Sequence, residues 1–252
     1  MSAAARLRAG PPAVCIVTVC RNALSGLKAT VTSVRANKRE NCRYILIDGA
    51  STDGSLEFLR SCADVVDVLV SEPDEGIYHA MNKGIALCGD DSWVIFMNAG
   101  DTFHGAQTVA DVQAVLARDY DIVMGAVALQ EEAREKLVQP DPRIKSKMPA
   151  CHQSTFTRAR LLREYPFDTS LRVGADFEQY LRISEAVEAG RIAFVPFPIS
   201  RIAADGFSVK NERILQHDYF SAITRHRGRC SAWRWLVERK VRRAARALLR
   251  TT

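Results

Sequence analysis

The amino-acid sequence predicts an α/β fold in which helices cover both faces of a mostly parallel central sheet. Two observations carry this prediction. Strand-length apolar segments alternate with helical patterns through the first hundred residues, and the first segment, AVCIVTVC at 13–20, is apolar without interruption. This continuous apolar character is typical of parallel strands that are covered on both faces.

The predicted elements follow one another regularly as far as residue 100. Strands are expected at 13–20, 43–50, 66–72 and 93–100. Between them we expect a helix that Ser25 caps and that carries Leu27, Val31 and Val34 on one face, and further helices at 55–62 and 77–88. Beyond residue 101 the pattern predicts strands at 121–129 and 192–198, a charged, solvated segment at 130–147, and helices near 107–118, 155–164, 175–188 and 210–226.

Length and composition exclude several classes of protein. The 252 residues, 47% of them hydrophobic, suffice for one large domain or two small ones. No apolar run reaches the length of a membrane span. Residues 1–12 lack the apolar segment of a secretory signal and are expected to form a flexible leader. The seven cysteines are odd in number and form no C-x-x-C pair, which indicates a reducing, cytoplasmic compartment without a zinc site.

The positive charge is concentrated at the C-terminus. The chain has a net charge of +6, while residues 228–252 alone contain seven Arg, one Lys and one Glu. That segment carries +7, so the remaining residues carry −1. A nucleic-acid-binding face should extend beyond one helix, and the slightly acidic body therefore argues against a nucleic acid partner.

Polar side chains follow each of the four N-terminal strands. They are Thr18, Arg21 and Asn22, then Asp48, Ser51 and Asp53, then Asp74 and Gly76, and finally Asn98 and Asp101. Ligands bind outside the carboxyl ends of the strands in such sheets. Each turn alone is explained equally well by the turn preference of Asp, Asn and Gly, but together the acids suit a metal ion or hydroxyl groups. No G-x-G-x-x-G follows the first strand and no P-loop motif occurs, which argues against dinucleotide and P-loop sites.

Several sequence blocks resemble family 2 glycosyltransferases of the GT-A fold. They are VCIVTVCRN, ILIDGASTDGS, VSEPDEGIYHAMNKGIALCGDDSWVIFMNAGD, ACHQSTF and GADFE. The block SEPDEGIYHAMNKG is similar to the bacterial branch that builds surface polysaccharides. The resemblance implies sugar transfer from a nucleotide donor, usually with inversion, and a Mn²⁺ or Mg²⁺ cofactor. It implies one GT-A domain at 13–227, with a nucleotide-sugar-binding half at 13–101 and an acceptor half at 102–210.

The resemblance also implies roles for individual residues. The implied donor-binding residues are Thr18, Asn22, Asp48, Ser51, Asp53, Asp74, Gly76, Met81, Asn82, Asn98 and Gly100. Asp48 would accept a hydrogen bond from the base, in a UDP-sugar the N3–H of uracil. Asp101 would ligate the metal, which stabilises the charge on the departing nucleotide. Asn98 and Gly100 depart from the family pattern, because acids usually occupy these two positions. His79 also replaces an acid, and we interpret it as an exposed helix residue.

The general base implied by the resemblance is Asp176, within GADFEQYLRI. An inverting transfer needs such a group to take the proton of the acceptor hydroxyl. Without the resemblance, an acid in the first turn of a helix would be assigned to stabilising the helix dipole. Glu178 points elsewhere on a helix, and His152 and Gln153 match a family pair near the acceptor or donor sugar. The segment 204–210 resembles a flexible segment near the donor.

Residues 228–252 are predicted to form a basic amphipathic helix. Apolar Trp233, Leu236, Val237, Val241, Ala244 and Leu248 share one face, and Arg239, Arg242, Arg243, Arg246 and Arg250 share the other. This pattern fits a helix on an anionic bilayer surface. It would place the enzyme at the inner face of the cytoplasmic membrane, beside a lipid-linked glycan acceptor in lipopolysaccharide, capsule or exopolysaccharide synthesis. A helix docked on its own domain and a partner-binding helix are alternatives.

Two other functions stay open at this point. A sugar-phosphate nucleotidyltransferase shares the α/β sheet and the acid–metal chemistry, but it needs a glycine-rich basic loop after the first strand, and CRNALSG is a poor match. A non-enzymatic binding protein would use the Arg-rich tail alone.

Overall fold

A computed structural model describes residues 12–131, 134–141 and 148–248, and only the backbone of 242–248. The strands are β1 (Val14–Cys20), β2 (Cys42–Asp48), β3 (Val68–Ser71), β4 (Trp93–Phe96), β5 (Thr102–Phe103), β6 (Ile122–Glu131), β7 (Arg134–Val138), β8 (Thr155–Arg158) and β9 (Ile192–Ala203). The helices are α1 (Leu24–Asn37), α2 (Ser55–Arg60), α3 (Ile77–Ala86), α4 (Thr108–Leu116), α5 (Ala159–Glu164), α6 (Ala175–Ala186), α7 (Phe207–Lys210), α8 (Glu212–Arg227) and α9 (Arg229–Leu248).

Within the described residues the strands form one sheet in the order β3-β2-β1-β4-β8-β6-β9-β5, with β7 paired to β6. The first four of these strands are parallel, as the alternating pattern predicts. The other half is mixed, because β8 runs antiparallel to both β4 and β6 while β6 and β9 are parallel. Cys20 pairs with Asp48, and Asp48 with Ser71, so three strand ends lie in register at one edge.

The core has an apolar layer on each face of the sheet. Alternate residues of a strand point to opposite faces. Ile16 packs with residues of α1, α2 and α4 on one face. Val17 packs with residues of α3, α5 and α6 on the other. A third cluster joins α6, α8 and α9 around Phe177 and Trp235. Among the described helices, none has both the length and the apolar character that a membrane span requires.

The structure corrects one predicted helix cap and two predicted elements. Helix α1 begins at Leu24 with Ala23 at its N-cap, so Ser25 lies inside the helix and does not cap it. The helix predicted near 155–164 is a strand followed by a helix, because Thr155, Phe156 and Thr157 are buried in β8 between β4 and β6. Their branched and aromatic side chains favour a strand. The charged segment predicted at 130–147 contains β7, whose side chains are exposed but whose backbone pairs with β6. The rest of that segment, 132–133 and 142–147, and the leader up to residue 11 lie outside the described residues.

Gly84 tests the packing of α3 on the sheet. A Cβ at this position would lie 2.5 Å from Val17 Cγ1, whereas one at Gly89 would meet nothing within 4 Å. Gly84→Ala should therefore lower the free energy of unfolding by about 1–3 kcal/mol, although alanine normally stabilises a helix interior. Urea denaturation measures this change, and Gly89→Ala is the matched control. A Gly84→Ala variant as stable as the wild type would contradict the packing.

Candidate active site

Two segments that are far apart in sequence meet beyond the end of β4. The turn that follows β4 lies beside the short 3₁₀ turn that precedes β8. Gln153 Nε2 donates to Asp101 Oδ2 at 2.9 Å. The ring of His152 lies between Asn98, at 3.3 Å, and Asp176, at 3.2 Å. The structure therefore brings together the predicted metal ligand, the predicted base and the predicted sugar-binding pair.

The contacts of His152 form a directed chain of hydrogen bonds. A neutral imidazole accepts at one ring nitrogen and donates at the other. Asn98 Nδ2 donates to Nε2, so the proton on Nδ1 is donated to Asp176 Oδ2. Asp176 Oδ1 accepts from the backbone N–H of Phe177 at 2.8 Å. Both carboxylate oxygens of Asp176 are thus oriented, while 19% of the side chain is accessible.

The backbone of the turn after β4 explains one departure from the family pattern. Gly100 has a φ of +103°, a conformation that side chains rarely adopt. Its N–H donates to Thr30 Oγ1, and the Thr30 hydroxyl contacts the carbonyl of Asp101 at 2.7 Å. A Cβ on Gly26 would lie 2.9 Å from the Gly100 nitrogen, so α1 packs directly on the turn. An aspartate at position 100 would be strained in this conformation.

Asp101 is the carboxylate of this turn. Burial raises its pKa to about 6, and the hydrogen bond from Gln153 acts in the opposite direction. Among the described residues, no group of three His, Cys, Asp or Glu side chains could hold a metal ion. Asn98 Oδ1 is buried and has no hydrogen-bond partner within the described part of the chain. The protein thus offers two hard oxygens, which fit Mn²⁺ or Mg²⁺ when diphosphate oxygens complete the coordination.

Two of the predicted donor residues are buried beneath the strand ends. Thr18 is inaccessible, and its hydroxyl donates to the Met97 carbonyl at 2.6 Å. Asp48 is also inaccessible, and its Oδ2 accepts from the Ser71 hydroxyl at 2.7 Å and from the N–H of Ser51 at 3.1 Å. Direct contacts with the nucleotide are not supported for either side chain, because both hold neighbouring loops in place.

The loops after β1 and β2 hold each other. Asn22 Oδ1 accepts from the N–H of Thr52 at 2.8 Å, and the N–H of Asn22 donates to Ser51 Oγ at 2.8 Å. Asp53 accepts from the N–H groups of Leu24 and Ser55, both at 3.0 Å, at the starts of α1 and α2. Asn22, Ser51 and Asp53 therefore join the two loops at the sheet edge, and their contact with a donor stays a prediction.

A cavity of about 540 Å³ opens beside the segment 74–80. Its lining includes Arg21, Asp74, Gly76, His79, Arg172 and Phe207. Lys83 Nζ lies 2.7 Å from the carboxylate of Asp74 and 2.7 Å from that of Glu72. His79 accepts a hydrogen bond from the N–H of Glu75 at 3.1 Å. It is half-buried and lines the cavity, which differs from the interpretation of His79 as an exposed helix residue.

Two predicted residues of α3 do not reach this cavity. Met81 is fully buried in the core. Asn82 binds the backbone of Phe167 through both ends of its amide, at 2.9 and 3.0 Å. Because Met81 packs in the core and the amide of Asn82 is bound to Phe167, direct contact with the donor is not supported for either side chain.

Three charged side chains of the second half of the chain are bound to other partners. Glu178 is buried and binds Arg182 and His226, which leaves Asp176 as the accessible acid in the first turn of α6. Arg201 pairs with Glu135 at 2.8 Å, and Lys210 pairs with Asp205 at 3.0 Å.

The sequence pointed to only one of two further residues that line the cavity. Arg172 and Phe207 line the cavity from the loop before α6 and from α7. Phe207 belongs to segment 204–210, which the resemblance placed near the donor, whereas Arg172 belongs to no recognisable motif and lies in a loop that α8 contacts through Asp218.

Comparison with known sequences identifies relatives. A sequence model of glycosyl transferase family 2 matches residues 15–175. An uncharacterized glycosyltransferase of Mycobacterium tuberculosis is 41% identical over 108 residues, which cover 42% of this chain and 40% of the relative. A PGL/p-HBAD biosynthesis glycosyltransferase of the same species is 28% identical over 178 residues, covering 68% of this chain and 69% of the relative.

Solved structures show the same fold. S. aureus TarS in complex with UDP-GlcNAc gives a TM-score of 0.65 at 13% identity, covering 90% of this chain and 71% of that chain. Mannosyltransferase PcManGT from Pyrobaculum calidifontis, in complex with GDP-Man and Mn²⁺, gives 0.64 at 20% identity, covering 86% and 65%. At these identities the similarity establishes the fold, and the predicted GT-A fold is confirmed.

The raised pKa of Asp101 predicts a pH-dependent stability of the metal-free protein. Folded Asp101 keeps its proton up to about pH 6, while the unfolded residue loses it near its ordinary value of 3.8. The stabilisation is therefore present at low pH and is lost as the pH rises through 6. Asp101→Asn removes this dependence, so its unfolding free energy relative to wild type should rise by on the order of 1–2 kcal/mol from pH 4 to pH 7. Urea titrations in EDTA measure it, and a pH-independent difference would contradict the burial.

Proposed function

The chain belongs to glycosyl transferase family 2, and on that premise we propose that it moves a sugar from a UDP-sugar donor to a lipid-linked glycan with inversion. The observation that carries the proposal is the meeting of Asp101 and Gln153 with His152 and Asp176 beyond β4. It supports a site in which the donor diphosphate and the acceptor hydroxyl lie side by side.

In this proposal Asp176 is the general base. It accepts the proton of the acceptor hydroxyl while that oxygen forms a bond to the anomeric carbon. The bond between this carbon and the diphosphate oxygen breaks on the opposite face, and the nucleoside diphosphate leaves with the electron pair. The His152 ring, itself held by Asn98, keeps Asp176 oriented for this transfer. One carboxylate on one face of the sugar produces inversion.

Asp101 and Asn98 would hold a Mn²⁺ or Mg²⁺ ion together with the donor diphosphate. The ion would supply charge stabilisation for the departing diphosphate. Support comes from the hard-oxygen donor set of the turn and from the Mn²⁺ present in the PcManGT complex. The UDP-GlcNAc of the TarS complex supports a nucleotide-sugar partner, and the cavity beside Asp74 is large enough to take part of it.

The C-terminal helix supports a lipid-linked acceptor and a peripheral position at the inner face of the cytoplasmic membrane. Ala232 and Trp235 pack on α6 and α8, and Leu236 is half-buried beside them. Trp233, Val237 and Val241 form an exposed stripe and are 55%, 57% and 62% accessible. The helix is therefore docked on one face and apolar on another, which corrects the predicted placement of Leu236. The side chains beyond Val241 lie outside the described residues.

Two kinds of glycan are compatible with the proposed acceptor. The sequence pattern favours lipopolysaccharide, capsule or exopolysaccharide synthesis, whereas relatives named for PGL/p-HBAD biosynthesis point to a different glycan. In either case the exposed stripe of α9 suits an acceptor that lies at a membrane surface.

Asp176→Asn should lower the rate of sugar transfer by at least about 100-fold and leave donor affinity within a factor of about two, because an amide cannot take the proton. Transfer is followed by release of the nucleoside diphosphate, and donor affinity by calorimetry with Mn²⁺. Glu185→Gln, an exposed acid on the same helix, is the matched control. Transfer near the wild-type rate in Asp176→Asn would rule out the base assignment. Release of pyrophosphate from a nucleoside triphosphate and a sugar phosphate would instead identify a nucleotidyltransferase.

Replacing Trp233, Val237 and Val241 together by serine should weaken binding to anionic vesicles by about tenfold or more, since apolar area no longer enters the interface. Vesicle sedimentation measures the partition, and Leu137→Ser, at an exposed position of β7, is the control. Unchanged sedimentation of the triple variant would contradict membrane binding through α9.

A further inference from the structure

We propose that Asp218, on α8, is a positioning residue that holds the loop presenting the candidate base. The inference rests on the proposed function, since it concerns the geometry of Asp176. Asp218 lies well beyond residue 175, where the family match ends.

One carboxylate oxygen of Asp218 binds three consecutive backbone N–H groups. Asp218 Oδ2 accepts from Arg172 at 3.1 Å, from Val173 at 2.9 Å and from Gly174 at 3.1 Å. The side chain is 4% accessible. These three bonds therefore fix the loop against α8, and the burial of Asp218 keeps it from acting as a base itself.

The same loop is also held by helix α3, on the side of the cavity. The Tyr78 hydroxyl, on α3, donates to the Val173 carbonyl at 2.5 Å. A Cβ at Gly174 would lie 2.8 Å from the Cβ of Asp218, so α8 approaches the loop as closely as the backbone allows. The ring of Tyr219, next to Asp218, stacks on Phe177 with centroids 4.1 Å apart. The loop is thus clamped between α3 and α8.

The position of this loop determines the position of Asp176. Gly174 precedes the first residue of α6, and its carbonyl accepts the hydrogen bond of the Glu178 N–H at 3.1 Å. Asp176 lies within that turn. A shift of the loop moves the carboxylate relative to the His152 ring. Displacement of a reacting group by about 1 Å can reduce a rate roughly 100-fold.

The test compares Asp218→Ala, Asp218→Asn and the control Asp121→Asn in the full chain. Asp121 is also a buried carboxylate, and it pairs with Arg191 beyond the opposite end of β8 from His152.

Asp218→Ala should lower kcat for transfer by roughly 10-fold to 100-fold per folded molecule, with donor Kd within about twofold. The amides of 172–174 should exchange hydrogen faster. Asp218→Asn, which keeps an accepting oxygen, should restore part of kcat. Asp121→Asn should lower stability without changing kcat.

Three results would overturn the inference. They are an unchanged kcat in Asp218→Ala, unchanged exchange of the amides of 172–174, and an equal loss of kcat in Asp121→Asn. A wild-type protein that transfers no sugar would overturn the proposed function and this inference with it. An active wild type with a fully active Asp218→Ala variant would overturn this inference alone.

Discussion

The antiparallel pairing of β8 with β4 is the constraint on which the candidate site depends. Its register places Trp93 opposite Arg158 and Val94 opposite Thr157, so the start of β8 lies at the carboxyl end of β4. The Arg158 guanidinium lies 4.0 Å from the centre of the Trp93 ring and adds to this pairing. Because β8 runs in this direction, the residues before it stand next to the turn after β4. A parallel β8 would carry them to the far edge of the sheet.

The turn after β4 shows how backbone geometry limits the choice of side chains. The positive φ of Gly100 would strain a second acid at this position, although a Cβ there would meet no other atom within 4 Å. Asn98 supplies a neutral oxygen and, through its amide nitrogen, a hydrogen bond to His152. One residue thus belongs to the candidate metal site and also holds the ring that contacts Asp176, the candidate base. A metal ion held by so few protein ligands would depend on the donor for the rest of its coordination.

Helices α8 and α9, which follow the residues matched by the family model, pack against α6 and so support the candidate site. Helix α8 contacts the loop before α6 through Asp218, and Trp235 of α9 lies 6.0 Å from the ring of Tyr219. The outer face of α9 remains apolar and exposed. The same helices therefore stabilise the loop and helix that carry Asp176 and provide the surface proposed to meet the membrane.

Periodicity and apolar character determined the parallel half of the sheet, its helices and the strand ends that carry Asp48, Asp74 and Asp101, because these signals are local. The family resemblance pointed to Asp176 and to His152.

Tertiary structure decided the rest. The strand β8 was predicted as a helix, since pairing with β4 and β6 overrode the local pattern. Thr18, Asp48 and Met81 were predicted to bind the donor, but they are buried and support neighbouring segments instead. Local sequence patterns do not reveal this burial. Asp218 acts on a loop that is 44 residues away in sequence, and only packing of α8 on α6 brings the two together.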